Sequence, residues 1–119
     1  MLIRDLSECD EFVGGDGTLL RELLHPAKQP LKVNYSLAHA SLPPDTVSLA
    51  HRLRSSEVYY ILEGQGTMFI NDEQGEVAPG QAVYIPPGAT QRIRSTGPGE
   101  LKFLCIVYPA WNSEDEEIV

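Results

Sequence analysis

The chain has 119 residues, a length that suits one domain with a hydrophobic core of its own. Its formal net charge of −8 argues against binding to nucleic acid or to an acidic membrane surface, because the phosphates of either would repel it. No apolar stretch approaches the roughly 18 residues of a membrane span, and the first residues lack the pattern of a secretion signal. With only two distant cysteines, Cys9 and Cys105, we expect a soluble, cytoplasmic protein whose thiols are reduced.

The first clear pattern in chain order is the leucine-rich segment 18–25. Its leucines lie at i, i+1, i+4 and i+5, which by period alone is one face of a short helix. The segment is also short for a helix in a chain that otherwise favours strands. The residue pattern therefore leaves helix and strand open here.

From residue 31 onward, glycine and proline turn clusters alternate with short apolar runs, a spacing typical of an all-β sandwich or barrel. Strands are predicted near 32–40, 46–51, 57–62, 67–71, 82–85, 91–94 and 101–108. The cluster at 71–75 is interpreted as a turn. The acidic residues 113–117 are interpreted as a solvated tail.

The two-residue period of a strand assigns faces to these runs. Lys102 should face water, which sends Phe103, Cys105 and Val107 inward. By the same alternation Glu57 shares an inward face with Tyr59 and Ile61. We also expect His51 to share a face with Val47 and Leu49, and His39 to share one with Val33, Tyr35 and Leu37.

Glu57 is the residue that most needs a partner, because it opens the apolar run 57–62. A carboxylate removed from water needs a cation, a metal ion or several hydrogen-bond donors. His51 lies six residues earlier on a predicted inward face. We therefore expect these two side chains to form a polar cluster inside a barrel mouth.

These stretches resemble the cupin family. The first cupin motif, G-x5-H-x-H-x3,4-E-x6-G, corresponds to Asp45-(x5)-His51-Arg52-Leu53-(x3)-Glu57-(x6)-Gly64. The second motif, G-x5-P-x-G-x2-H-x3-N, corresponds to Gly80-(x5)-Pro86-Pro87-Gly88-(x2)-Gln91-(x3)-Ser95. The resemblance covers about residues 31–110.

The resemblance implies a double-stranded β-helix, a jelly-roll barrel of two antiparallel sheets. It implies a barrel at 31–110, an N-terminal part at 1–30 that packs on the barrel or on a dimer partner, and an acidic tail at 111–119. In such a barrel the segment 18–25 should be a strand. It further implies a homodimer and a divalent transition metal, Mn, Fe, Ni, Cu or Zn, held by the motif residues at the open end.

This chain departs from the family at two of the four ligand positions, where Leu53 and Gln91 replace histidines. Carried over residue by residue, the metal ligands would be His51, Glu57 and Gln91, the last through its amide oxygen. His39 could restore a nitrogen ligand if its strand lies beside that of His51. Without a metal, Glu57 could instead pair with an arginine or accept hydrogen bonds from a tyrosine.

Two ligand-binding functions remain open at this point, beside a third possibility, a structural dimer module whose barrel is filled and has no pocket. One is a metal-dependent enzyme, an isomerase, oxygenase or lyase, acting on a small oxygenated or anionic molecule, with Glu57 and Tyr59 as the candidate catalytic acids or hydrogen-bond donors. The other is a non-catalytic or sensory cupin that binds a small molecule in a degraded metal site. A barrel of this kind hosts many functions, so the fold cannot choose between them.

Overall fold

The structure is a computed structural model that describes all residues, 1–119. It contains eleven strands and two single-turn 3₁₀ helices, at Leu6–Glu8 and Ser113–Asp115. The strands are β1 (Glu11–Val13), β2 (Leu19–Leu24), β3 (Ser36–Leu42), β4 (His51–Leu53), β5 (Ser56–Glu63), β6 (Gly66–Ile70), β7 (Glu73–Val77), β8 (Ala82–Ile85), β9 (Gln91–Ser95), β10 (Leu101–Tyr108) and β11 (Glu116–Ile118). No helix is long and apolar enough to cross a membrane.

The strands form two antiparallel sheets that face each other, as the predicted jelly-roll barrel requires. The larger sheet has the order β1-β2-β3-β10-β5-β8, and the smaller one has the order β11-β4-β9-β6-β7. Non-sequential neighbours such as β3 and β10 bring distant segments together. The all-β fold class is therefore confirmed.

The core lies between the sheets, on alternate residues of the central strands. Phe103, Cys105 and Val107 of β10 point inward, as predicted, and Leu101 of the same strand is buried with them. Leu101, Phe103 and Cys105 belong to one apolar cluster with residues of β3, β5, β8 and β9, which include Ala40, Leu42, Tyr59, Ile61, Ile85 and Ile93. On β5 the prediction that Glu57 shares the inward face with Tyr59 and Ile61 is confirmed.

On β3 the predicted face is wrong. Ser36 and Ala40 are buried, whereas Leu37 and His39 lie on the outer face of the larger sheet. The alternation was ambiguous because both faces of this sheet carry apolar side chains. His39 is therefore on the side of β3 opposite to the barrel interior.

The segment before β4 also differs from the prediction. Only Val47 makes a ladder contact there, an isolated bridge to Arg94, and both Val47 and Leu49 are exposed. Ser48 is the buried residue instead, and its hydroxyl accepts a hydrogen bond from the Ile93 backbone N–H. His51 nevertheless points inward, because it opens a new strand rather than continuing the alternation.

Three segments with weaker residue patterns also form strands. The leucine-rich segment is β2, paired with β1 and β3, so its strand interpretation is confirmed. The predicted turn at 71–75 is confined to its start, because Glu73 already begins β7. The acidic end is not only a solvated tail, since Glu116–Ile118 pairs with β4.

The turn between β5 and β6, where the chain passes from the larger sheet to the smaller one, depends on a glycine. Gly64 has φ of +85°, and a Cβ at this position would clash with the backbone oxygen of Glu100. A side chain is therefore excluded by the backbone conformation and by the close approach of the chain before β10.

Candidate functional site

A cavity of about 290 Å³ lies between the two sheets, next to the apolar core. Its walls come from three parts of the chain: the N-terminal segment, the barrel strands and the segment after β10. They include Phe12, Gly15, Asp16, Leu20 and Glu22 from the first part, His51, Leu53, Glu57, Tyr59, Phe103 and Cys105 from the second, and Trp111 and Glu116 from the third. No lysine or arginine lines it.

Glu57 enters this cavity from β5 with 6% of its surface exposed. Its Oε1 atom has no hydrogen-bond partner. The pKa of the Glu57 carboxyl is raised from 4.5 to about 8, mainly by burial; the Gln91 side chain opposes part of this rise, and the negative charges of Asp16 and Glu116 contribute to it. At neutral pH the carboxyl is therefore mostly protonated, and one of its oxygens is free to meet a ligand.

His51 lies at the start of β4 and is 3% exposed. Its Nδ1 atom is 2.8 Å from the Leu49 backbone oxygen, and because a carbonyl only accepts, Nδ1 carries the proton and donates. This fixes the ring so that Nε2 lies 3.6 Å from the Asp16 Oδ2 atom. His51 and Glu57 thus line the same cavity, as the sequence predicted.

Asp16 is a site residue that the sequence analysis missed. It is buried in the loop before β2, where its Oδ1 accepts hydrogen bonds from the Thr18 backbone N–H and hydroxyl. The Leu49 backbone N–H donates to its carbonyl at 2.7 Å, so the loop is tied to the segment before β4. The sequence showed only a glycine-rich turn, and nothing in it places that turn at the barrel mouth.

Gln91 and Tyr59 form a hydrogen-bonded pair next to the cavity, and of the two only Tyr59 lines it. Gln91 lies opposite His51 in the β4–β9 register, and its Oε1 accepts a hydrogen bond of 3.0 Å from the Tyr59 hydroxyl. Burial, and then the charge of Glu57, raises the pKa of Tyr59 well above its usual value. The Tyr59 proton is therefore held by Gln91, and the amide oxygen predicted to bind a metal already has a partner.

His39 does not join the cluster. It lies in a shallow groove on the outer face with Arg21 and Lys102. Burial and then the positive charges of Lys102 and Arg21 lower the pKa of His39, so it is neutral at pH 7. The expectation that its strand presents it beside His51 is wrong, because β3 turns the opposite face inward.

The donor atoms in the cavity do not fit the divalent metal that the family motif implies. A site without water ligands needs about four donors. Leu53, at a ligand position, is a buried apolar side chain that lines the cavity, and the oxygen of Gln91 is occupied. No three His, Cys, Asp or Glu side chains are grouped so that they could hold a metal ion.

The chain after β10 completes the cavity wall. The Trp111 backbone N–H donates to the Ser36 hydroxyl, and its indole N–H donates to Glu116 Oε2 at 2.8 Å. Glu116 also lies against Gly15 of the N-terminal loop, because a Cβ on that glycine would be 2.9 Å from Glu116 Oε1. The two ends of the chain therefore meet at the mouth.

Chemically, the site combines a neutral carboxyl, an imidazole and a nearby carboxylate in a small, largely apolar space. Such a set can donate a proton from Glu57 and accept one at His51 Nε2, with Asp16 stabilising the imidazolium that results. The same groups can bind hydrogen-bond donors without any reaction. The geometry alone supports both uses.

The chain is similar to several known proteins. The family model of the cupin domain matches residues 38–107. An uncharacterised protein of Methanocaldococcus jannaschii is 42% identical over 109 residues, which are 91% of this chain and 86% of that protein. A glucose-6-phosphate isomerase of Thermococcus kodakarensis is 31% identical over 101 residues; these are 81% of this chain but 48% of that enzyme, so the chain spans about half its length.

Among solved structures, the nucleoside dehydratase Pac13 of Streptomyces superposes with a TM-score of 0.80. The match covers 100% of this chain and 91% of that one at 20% identity, so it shows a shared fold and no more. The family match covers more than half of the chain and agrees with the two observed sheets. The chain is a member of the cupin family.

Proposed function

We propose that this cupin binds a small, uncharged or positively charged organic molecule in the barrel mouth and does so without a metal ion. The observation that carries the proposal is the unpartnered Oε1 of Glu57, which is buried beside a cavity that contains no basic side chain except His51. A buried polar atom without a partner costs free energy unless a ligand or water satisfies it. A ligand that donates a hydrogen bond would satisfy it.

The charges favour such a ligand over an anionic one. Four carboxyl groups line the cavity, on Asp16, Glu22, Glu57 and Glu116, and no lysine or arginine lines it. A phosphate, such as the one in the name of the Thermococcus isomerase, would meet repulsion here. The site of this chain therefore differs from one built for a sugar phosphate.

A second candidate function is metal-independent proton transfer, in which Glu57 acts as the acid and His51 as the base. It is favoured by one observation: Nδ1 of His51 is held by the Leu49 oxygen, so Nε2 remains available, with Asp16 beside it. The names isomerase and dehydratase, carried by two of the similar proteins, denote reactions in which protons move. That this chain catalyses a proton transfer of the same kind is part of the proposal.

Elemental analysis tests the metal part of the proposal. The purified protein, incubated with Mn, Fe, Ni, Cu or Zn and then desalted, is expected to retain less than stoichiometric metal, and His51→Ala should change nothing. One tightly held metal per chain that disappears in His51→Ala would contradict the proposal and restore the metal-dependent function that the motif implies.

A screen of small molecules by thermal unfolding tests the binding part. Neutral and cationic compounds are expected to raise the unfolding temperature of the wild type and to act less on Glu57→Gln. Glu63→Gln is the matched control, because Glu63 lies on the same strand but is exposed and outside the cavity. Compounds that act equally on all three proteins would show that the cavity is not where they bind.

We also propose that the chain forms a homodimer through the outer face of the larger sheet. The β-ladders place Leu37, Ile106, Val58 and Tyr84 in one apolar row across four strands. Tyr84 is 62% exposed and Ile106 is 37% exposed, so the row is open to a partner. Apolar patches of this kind are typical of protein interfaces.

Light scattering coupled to gel filtration tests the dimer. The wild type should elute as a dimer and Ile106→Lys as a monomer. Leu49→Lys is the matched control, because Leu49 is exposed but lies outside that face, and it should remain dimeric. A monomeric wild type, or a dimeric Ile106→Lys, would refute this interface.

A further inference from the structure

The carboxyl groups that line the cavity differ in whether they have hydrogen-bond or ion-pair partners within the protein. Glu22 is paired with the Lys28 ammonium at 2.6 Å. Asp16 accepts two hydrogen bonds from Thr18, and Glu116 accepts one from the Trp111 indole. Oε1 of Glu22 and Oε1 of Glu57 are the two buried side-chain oxygens without a hydrogen-bond partner, and because Glu22 Oε1 has the Lys28 ion pair, only Glu57 Oε1 has no partner of either kind. The cavity therefore contains one free acceptor among several negative charges.

The charge balance of the cavity is negative. Apart from His51, which lies 3.6 Å from Asp16, no side chain of the lining can carry a positive charge. Charges attract or repel more strongly at a water-poor site than at the surface. The whole chain, with its formal charge of −8, adds to the attraction of a cation and to the repulsion of an anion.

Part of the cavity wall is aromatic. Phe12, Tyr59, Phe103 and Trp111 all line the cavity, and the Tyr59 and Phe103 rings pack at 4.5 Å between centroids. Aromatic faces attract organic cations and also cover their apolar parts. An inorganic ion would gain little from such a wall, and the donor atoms do not group to hold one.

From these three features we propose that the ligand carries a protonated amine: the cavity is a receptor for a small organic ammonium ion. Its nitrogen donates to Glu57 Oε1 and lies within the field of Asp16 and Glu116, and its carbon part rests on the aromatic wall. This inference rests on the proposed small-molecule function and specifies the chemical class of the ligand. The cavity volume of about 290 Å³ limits that ligand to a small one.

Three probes of nearly equal size and different charge test the inference: benzylammonium, benzyl alcohol and benzoate. Trp111 is the single tryptophan of the chain and lines the cavity, so its fluorescence reports binding, with thermal unfolding as a second readout. Benzylammonium is expected to bind the wild type at least tenfold more tightly than benzyl alcohol, and benzoate is expected not to bind.

The variants locate the effect. A bound ammonium ion favours the ionised form of the Glu57 carboxyl beside it, which glutamine cannot adopt. Glu57→Gln, which keeps the shape of the side chain, should therefore weaken the binding of benzylammonium at least tenfold and change the binding of benzyl alcohol less than threefold. Glu63→Gln removes one negative charge outside the cavity and should leave both unchanged. If Glu57→Gln does not fold, Asp16→Asn provides the same comparison, with the same direction expected.

The outcomes separate the two proposals. If benzyl alcohol binds the wild type as tightly as benzylammonium, the ammonium inference is wrong while small-molecule binding in the mouth stands. The same holds if the preference for benzylammonium persists in Glu57→Gln, or in Asp16→Asn where that variant replaces it. If benzoate binds more tightly than the other two probes, the argument from charge is wrong for the proposed function and for the ammonium inference alike. If none of the three affects the fluorescence or the unfolding temperature, the proposed binding function fails as well.

Discussion

Replacing Glu57 by glutamine should make the protein more stable at neutral and alkaline pH. Between pH 4.5 and about 8 the folded chain binds a proton at Glu57 that the unfolded chain has released. The free energy of unfolding therefore falls as the pH rises through this interval, and the full contribution is present only below pH 4.5. At about 1.4 kcal/mol per pH unit the loss is about 3 kcal/mol at pH 7 and about 5 kcal/mol above pH 8.

Urea unfolding at a series of pH values from 4 to 9, followed by tryptophan fluorescence at one protein concentration, measures this effect. The quantity of interest is the difference in unfolding free energy between Glu57→Gln and the wild type, which should grow in favour of the variant as the pH rises. Glu63→Gln, at an exposed position on the same strand, should give a difference that does not change with pH.

A flat difference for Glu57→Gln would refute the reasoning, because it would mean that the carboxyl titrates as it does in water. A difference that grows in favour of the wild type would be more informative still. It would mean that a positive charge, such as a metal ion, stabilises the ionised carboxylate in the folded protein. The same experiment therefore tests the metal-free interpretation of the site.

Three further changes test other parts of the structure. Leu53→His combined with Gln91→His restores both missing ligands and should confer stoichiometric Co²⁺ binding, seen by absorption spectroscopy, that the wild type lacks; equal binding by both proteins would contradict the conclusion that the donor atoms of this cavity do not fit a divalent metal. Tyr59→Phe leaves the Gln91 oxygen without its donor in a buried position and should cost about 1–3 kcal/mol of stability in urea unfolding, whereas no change would mean that another group replaces the hydroxyl. Gly64→Ala requires a left-handed conformation and meets the Glu100 oxygen, so it should cost more than about 1 kcal/mol, while Gly75→Ala, where a Cβ meets nothing within 4 Å, should cost less.

The fold could be predicted from the sequence because turn residues and apolar runs alternate at strand spacing, and because the two motifs keep their separations. The side chains that point into the core could be predicted where only one side of a strand is apolar, as in β10. On β3 it was not, since Leu37 and His39 alternate with Ala38 and Ala40 and both sets are compatible with burial. β7 was missed because four of its five residues are exposed and polar or glycine.

For the site, the sequence correctly brought His51 and Glu57 to one cavity, because both are fixed by the barrel strands themselves. It could not supply Asp16 or Glu116, which reach the cavity only through the path of the two chain ends. For Glu116 the composition predicted exposure to solvent, since a run of acidic residues is usually solvated. Its pairing with β4 and its bond to Trp111 depend on contacts between segments far apart in the chain.

The meeting of the N-terminal loop and the residues after β10 at the mouth has a consequence for how such barrels diversify. The family match spans 38–107, yet Asp16, Trp111 and Glu116 lie outside it. Two relatives with the same barrel motifs can thus present different binding pockets if only their termini differ. In this architecture, ligand specificity can change through substitutions in the segments before and after the barrel, while the barrel itself stays the same.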